Sequence, residues 1–385
     1  MASNAKIIGD LIAADSSVAI PGDGVILASD LADGSVTTAK LADANVTFDK
    51  IATTVPLGTK NLIINGDMRI AQRGSSLATS SSEGYIIDRF VVGSYNGNTI
   101  TYSQDTDVPS GYGFTNSMKV TNTTGTAAST FEQICQRMEG LITSQLDFGS
   151  ASAKQITLSF WVKSSVTGTY NVGFRNSAND RGYVADYTIS SANTWEKKSV
   201  TITGDTTGTW LTTNGIGIRT WFILGASAGN STTPGSWSAS ANMGSTNLSN
   251  TWTTTSGATF YITGVQLEVG DTATPFEHRM YSQELAMCQR YYHKGYYAFM
   301  SANTGTLIFN INFPTQMRVA PTTSHEYPEG GTVNDVYNIN TADTPTFVPN
   351  GNFSDINSYR FAYDFDAGLT EDDGYQAFFY FSAEL

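Results

Sequence analysis

With 385 residues the chain is long enough for two or three domains. Hydrophobic residues make up 40%, enough for a packed core, but only 14% are charged, against about a quarter in ordinary domains; glycine, serine, threonine and asparagine fill the difference, which favours strands and turns over helices. The net charge of −13, with no basic stripe, excludes nucleic acid as a partner.

Residues 1–30 lack the apolar stretch of a secretory leader. No run in the chain approaches the roughly 20 apolar residues that span a membrane. Residues 31–60, LADGSVTTAKLADANVTFDKIATTVPLGTK, form three ten-residue blocks that each end in lysine. Leu31, Val36, Leu41, Val46 and Ile51 recur every five positions. Five steps turn a helical side chain about 140° off its stripe and reverse the face of a strand, so neither regular element explains the beat. An extended triplet alternating with one helical turn does fit. A single chain cannot bury such a thin apolar line, whereas three chains wound together can. The alternative is a disordered low-complexity linker.

From Asn61 the texture becomes globular. In NLIINGDMRI two apolar runs flank Asn65-Gly66, a hairpin or turn signal. In QITLSFWVK, Ile156, Leu158, Phe160 and Val162 share one strand face, with Thr157, Ser159 and Trp161 opposite. In GVQLEVG, Val265, Leu267 and Val269 point one way and Gln266 and Glu268 the other. WEKKSVTITG and IGIRTWFILG read similarly, and turn-rich clusters separate the strands, the pattern of a β-sandwich over residues 61–277. One linking helix is expected over 278–295. Tyr281, Leu285, Cys288 and Tyr292 make its stripe, Arg290, His293 and Lys294 suit its C-terminal dipole, and Gly295 stops it. Residues 296–385 return to strands, ending in GYQAFFYFSAEL, which is apolar on both faces and so is expected to be buried on both, against a neighbouring chain. This last segment has two arginines, no lysine and eleven acids, a balance of −9.

Catalytic signatures are not found. His278, His293 and His325 have no metal-ligand spacing, and no G-x-S-x-G elbow or P-loop occurs. Carboxylate pairs such as Asp180 and Asp186 read as turn residues, and a long repeated strand ladder is missing, so an enzyme is not expected. Cys135 and Cys288 read as reduced, buried thiols. The acid-dense stretch DFDAGLTEDDG offers Asp364, Asp366, Glu371, Asp372 and Asp373 as weak calcium ligands, with a solvated loop as the alternative. Aromatics in polar loops are the better ligand signal. Trp210, Trp237 and Trp252, and distally Tyr327, Tyr337, Phe353 and Tyr359, could stack on a sugar's C–H face while nearby amides bond its hydroxyls. Burial at the sandwich ends, a trimer seam or the tip is the alternative.

Four segments together resemble the tail-fibre or receptor-binding proteins of tailed bacteriophages. They are LADGSVTTAKLADANVTFDK, NLIINGDMRIAQRG, FYITGVQLEVGDTATPFEHRMYSQELAMCQRYYHK, and FPTQMRVAPT with the terminal FSAEL. The resemblance implies a mainly β, elongated homotrimer. Its parts would be a virion-attachment segment (1–30), an intertwined repeat stalk (31–60), a central jelly-roll β-sandwich of the carbohydrate-binding, galactose-binding-like kind (61–277), a linking helix (278–295) and a C-terminal β-sandwich tip (296–385). It further implies attachment to a tail hub, adaptor or other virion protein through the N-terminus, and non-covalent binding of a host surface glycan or outer-membrane protein. The place of action would be the virion tail, after synthesis in the bacterial host's cytoplasm. Modules of this kind often carry a structural calcium; no other cofactor is expected. The acidic tip should disfavour phosphate-rich glycans unless a cation bridges, and suits neutral or amine-bearing sugars or a basic protein patch. The alternatives are a structural tail or capsid fibre without receptor recognition and, less favoured, a glycan-cleaving tailspike.

Overall fold

Alternation becomes structure most directly at residues 156–162, where Ile156, Leu158, Phe160 and Val162 are wholly buried on one face of a strand. The computed structural model describes residues 60–79, 82–95, 98–127, 131–300, 306–326, 337–338, 348–349, 353–364 and 374–385. They belong to one compact unit, Thr59–Leu385. The stalk residues Leu31, Val36, Leu41, Val46 and Ile51 lie outside the described residues.

Two six-stranded sheets face each other. The first runs, in spatial order, through β1 (Ser76–Thr79), β4 (Ile100–Asp105), β5 (Ser117–Asn122), β14 (Thr259–Val269), β7 (Ile156–Ser164) and β10 (Glu196–Ile202). The second runs through β2 (Glu83–Tyr85), β3 (Phe90–Ser94), β6 (Phe131–Glu139), β11 (Ile216–Ala226), β8 (Gly168–Arg175) and β9 (Gly182–Ile189). Neighbouring strands within each are antiparallel. A loop bearing the short parallel pair β12 (Ser231–Thr232) and β13 (Gly244–Ser245) packs Met243 and Leu248 into an apolar cluster with Val91, Cys135, Trp221 and Ile223, on the outer side of the second sheet. Between the sheets, Phe160 meets Phe222 and Tyr187 edge-on with centroids 5.0 Å apart in both cases, the arrangement aromatic quadrupoles favour. This is a jelly-roll β-sandwich.

Asn65 does make a turn, at φ 60°, but no hairpin forms. The Asn65 amide supplies the partners a second strand would have given. Its Nδ2 donates to the carbonyls of Ile70 and Asp88 at 2.9 and 3.0 Å, and its Oδ1 accepts from the Ile70 N–H at 3.0 Å. The flanking apolar runs therefore plug the sandwich instead of extending it. Leu62, Ile63 and Met68 enter the main core, while Ile64 and Ile70 pack on Cys288 and Tyr291.

The linking helix is shorter than expected. It spans Tyr281–Gln289, and Tyr292–Met300 forms strand β15. His293 and Lys294 are thus strand residues, and Gly295 is not a helix stop. A Cβ at Gly295 would lie 2.3 Å from the Tyr297 ring, so a larger residue there would push that ring aside. Cys288 and Glu284 form the buried side of the helix, and Tyr281 is exposed.

The remaining strands are β16 (Thr306–Asn312), β17 (Thr322–Glu326), β18 (Tyr337–Asn338), β19 (Val348–Pro349), β20 (Phe353–Ser354), β21 (Ser358–Asp364) and β22 (Gly374–Ser382). They build two sheets, ordered β15-β22-β17 and β16-β21-β19, with β18 on β22 and β20 on β21. Only one face of β22 is fully buried. Tyr375, Ala377, Phe379 and Phe381 form the core there with Ile311, Met317 and Tyr359. Phe378 and Tyr380 on its other face are half-buried, under the Lys294 ammonium at 4.5 and 5.2 Å.

Charged clamps join this part to the sandwich. Arg290 forks onto the buried Glu139 carboxylate at 2.7 and 3.0 Å, and the Tyr291 hydroxyl donates to the same group at 2.8 Å. Glu384 pairs with Arg73 at 2.9 Å and with the buried Arg89. Both cysteines are free and buried, and burial pushes the Cys135 thiol up to about 12.

Candidate functional site

Of the expected ligand residues, Trp252 does not reach the surface. It is 1% exposed and part of the sandwich core, because the short helix Thr251–Thr254 turns it inward. Tyr359 is likewise buried, 3% exposed, with its ring 5.4 Å from that of Phe381. Both are structural. Tyr337 and Phe353 lie in β18 and β20, and Tyr327 lies outside the described residues. Asp364 ends β21, and Asp366, Glu371, Asp372 and Asp373 lie outside the described residues. Among the described residues no group of three His, Cys, Asp or Glu side chains could hold a metal ion.

Trp210 and Trp237 do come together. With Phe148 they form a triangle of edge-to-face contacts, centroids 5.0 to 5.7 Å apart. Their indole N–H groups donate to the carbonyls of Thr207 and Thr203. A forked ion pair, Arg181 to Asp205 at 2.7 and 2.8 Å, pins the loop that carries Trp210. Trp210 and Phe148 then line a cavity of about 220 Å³ with Asp147, Ser144 and Thr212. All three rings are partly buried and pack against the sandwich core, so the cluster also closes this end of the sandwich.

The better-formed site is one that loop aromatics did not signal. Trp161 sits in the middle of β7 and points away from the core, between Ser159 and Lys163 along the strand and opposite Lys197 of β10. Tyr112 lies over it with centroids 4.4 Å apart, and is 52% exposed. Its loop is shaped for this. Gly111 and Gly113 flank the tyrosine at φ 84° and 76°, a conformation that L side chains rarely adopt. His278 fastens the loop through its Nε2, 3.0 Å from the Tyr112 carbonyl oxygen. Phe114 and Phe276 complete the wall, 5.1 Å apart and edge-on. The open cavity is about 270 Å³ and is lined by these rings with Ser159, Lys197, Gly264, Pro275 and His278.

The same face continues as an aromatic strip. Tyr261 of β14 pairs in register with Lys163, whose ammonium lies 4.4 Å from the tyrosine centroid and 5.5 Å from that of Trp195. Asp107 accepts from the Trp195 indole at 3.0 Å and from Lys163. Burial would raise the Asp107 carboxyl, but these hydrogen bonds hold it below the ordinary range. Flat rings with polar groups at their edges suit a ligand that has apolar C–H faces and hydroxyl rims. Two features of the sequence could have marked it: a tryptophan on the polar face of a strand, and a tyrosine between two glycines.

Fold and face together define a β-sandwich with a ring-lined trough on one outer sheet face. No protein-family model matches the chain, and no curated protein matches it. Among solved structures it is similar to the family 11 carbohydrate-binding module of Clostridium thermocellum in complex with a β-1,3-1,4-mixed-linked tetrasaccharide, at 14% identity and TM-score 0.26, covering 53% of this chain and 98% of that one. It is similar to the CBM22-1–CBM22-2 tandem domain of Paenibacillus barcinonensis Xyn10C, at 10% identity and TM-score 0.26, covering 80% and 97%. It is also similar to the enzymatically active domain of bacteriophage CBA120 tailspike protein 4, at 14% identity and TM-score 0.30. That match covers 55% of this chain and only 21% of the tailspike chain.

Proposed function

We propose that the protein is a tail-fibre subunit of a tailed bacteriophage that binds a host-surface glycan without covalent chemistry, as a homotrimer attached to the virion through its N-terminal segment. The Tyr112–Trp161 trough is the observation that carries the glycan reading. Its residues supply stacking faces, Lys197 and His278 add exposed polar groups, and none of those lining it is a carboxylate that could serve as general acid or base. The five-residue apolar beat of residues 31–60 and the resemblance of the four quoted segments support the fibre and the trimer. Threefold repetition turns weak single-site binding into avid attachment once one site engages.

The test uses labelled full-length protein on envelope fragments of the host and on a glycan array. Binding that soluble oligosaccharide displaces, together with blocked adsorption of the virus, is the expected result. Fragments that bind no protein while the virus still adsorbs would instead favour a structural fibre.

A further inference from the structure

The outer face of the second sheet carries a feature that the trough does not use. Register places Arg219 of β11 opposite Arg137 of β6 on one side and opposite Arg175 of β8 on the other. Three arginines therefore stand in a row across three adjacent strands. They share a face with Trp221, while Phe222 turns into the core. Like charges directly opposite one another destabilise a sheet, so such a row needs compensating charge.

Arg137 has it. Its Nη2 pairs with Glu83 at 2.6 Å, and its Nη1 donates to the main-chain oxygen of Leu385 at 2.7 Å. Among the described residues Arg175 and Arg219 touch no carboxylate, and the Glu83 charge reaches Arg219 only from beyond contact distance. Arg175 donates to the Ala241 carbonyl, and Arg219 to the Asn176 carbonyl at 3.5 Å and to the Asn179 side chain, all neutral acceptors. Both guanidinium groups lie against the Trp221 indole, 4.6 and 6.0 Å from its centroid. The Arg175 Nε is buried without an acceptor. Beside it is a cavity of about 30 Å³, lined also by Gln133, Trp221, Asn230 and Asn242, which has room for one small polar group. Burial, and next the charge of Arg219, push Arg175 down to about 10; burial lowers Arg219 as well.

We propose that Arg175, which lines this cavity, and Arg219, its cross-strand neighbour outside the lining, bind the oxyanion of an acidic glycan, the carboxylate of a uronic-type sugar or the phosphate of a sugar phosphate, at a second site on the sheet opposite the trough. Planar guanidinium forks match either oxyanion, and Trp221 holds both in place. The glycan reading enters only in what carries the oxyanion; the anion chemistry stands on the arginine row.

Thermal-shift titration of the full chain tests this, at fixed ionic strength in chloride, with inorganic phosphate, with trigalacturonate and with its neutral methyl ester. The expected result is a rise in melting temperature with phosphate or trigalacturonate but not with the ester. Arg219→Gln should weaken that response at least tenfold, yet melt no lower than the parent in chloride alone, because a like charge has been removed. Arg175→Gln provides a second variant, and Trp161→Ala should keep the anion response. A response to phosphate alone assigns sugar phosphates, and a response to trigalacturonate alone assigns uronic sugars. The proposal is overturned if no anion stabilises the parent beyond chloride, or if both arginine variants keep the response.

Discussion

Single side chains decide where a sugar could lie. Tyr112 is a large ring left 52% exposed on a loop bent by two glycines, directly over Trp161, whereas Trp252 is enclosed by the core. Both tryptophans occur in Ser/Thr-rich sequence, so composition alone could not separate them; strand phase could, since Trp161 alternates with wholly buried Phe160 and Val162. Trp252→Ala should therefore act on stability, costing ~3–5 kcal/mol in urea unfolding. His293 makes a different prediction. Burial against Phe381 holds its imidazole below the ordinary value of 6.5, so the folded state resists protonation. The neutral ring's contribution is complete above about pH 6.5 and is lost as pH falls through the lowered folded value. Melting temperature should drop between pH 7.5 and pH 5, and His293→Phe should flatten that drop. An unchanged slope in the variant would exclude His293 as its source.

At the scale of elements, strands were legible wherever one face met the core and the other met solvent. The reading failed where a later segment covers the second face. Gln266 and Glu268 point away from the core, as their phase requires, yet both are buried. Residues 274–277 fold over them, with the Thr274 N–H and hydroxyl bonding Glu268 at 2.9 and 2.7 Å and the Glu277 N–H bonding Gln266 at 2.8 Å. No local pattern announces that return. The helix boundary failed for a related reason. Basic residues and a glycine imitate a helix end, but Arg290 is drawn to Glu139, 151 positions earlier in the chain, and β15 begins two residues later. Glu139 is the pivot of this joint. Glu139→Gln should leave Arg290 and Tyr291 without their charged acceptor and destabilise the protein by about 3–5 kcal/mol, measurable as a lower urea midpoint.

For the whole molecule, the β-sandwich class was visible because a low charge content, abundant turn residues and period-two alternation all point the same way. The trough was not visible as a site. It joins residues 112, 114, 159, 161, 197, 264, 275, 276 and 278, which only the sheet order brings together. The stalk reading makes its own prediction. Light scattering of the full chain should give three times the chain mass at micromolar concentration, and a monomer would contradict the wound-stalk reading of residues 31–60. The proposed glycan binding depends most on the trough. Isothermal titration of an envelope oligosaccharide into the full-length protein and into Trp161→Ala tests it most directly. Saturable binding that weakens at least tenfold in the variant, equivalent to ~1.4 kcal/mol or more, is the expected result. Equal affinity in two equally folded proteins would contradict glycan binding at the Tyr112–Trp161 face.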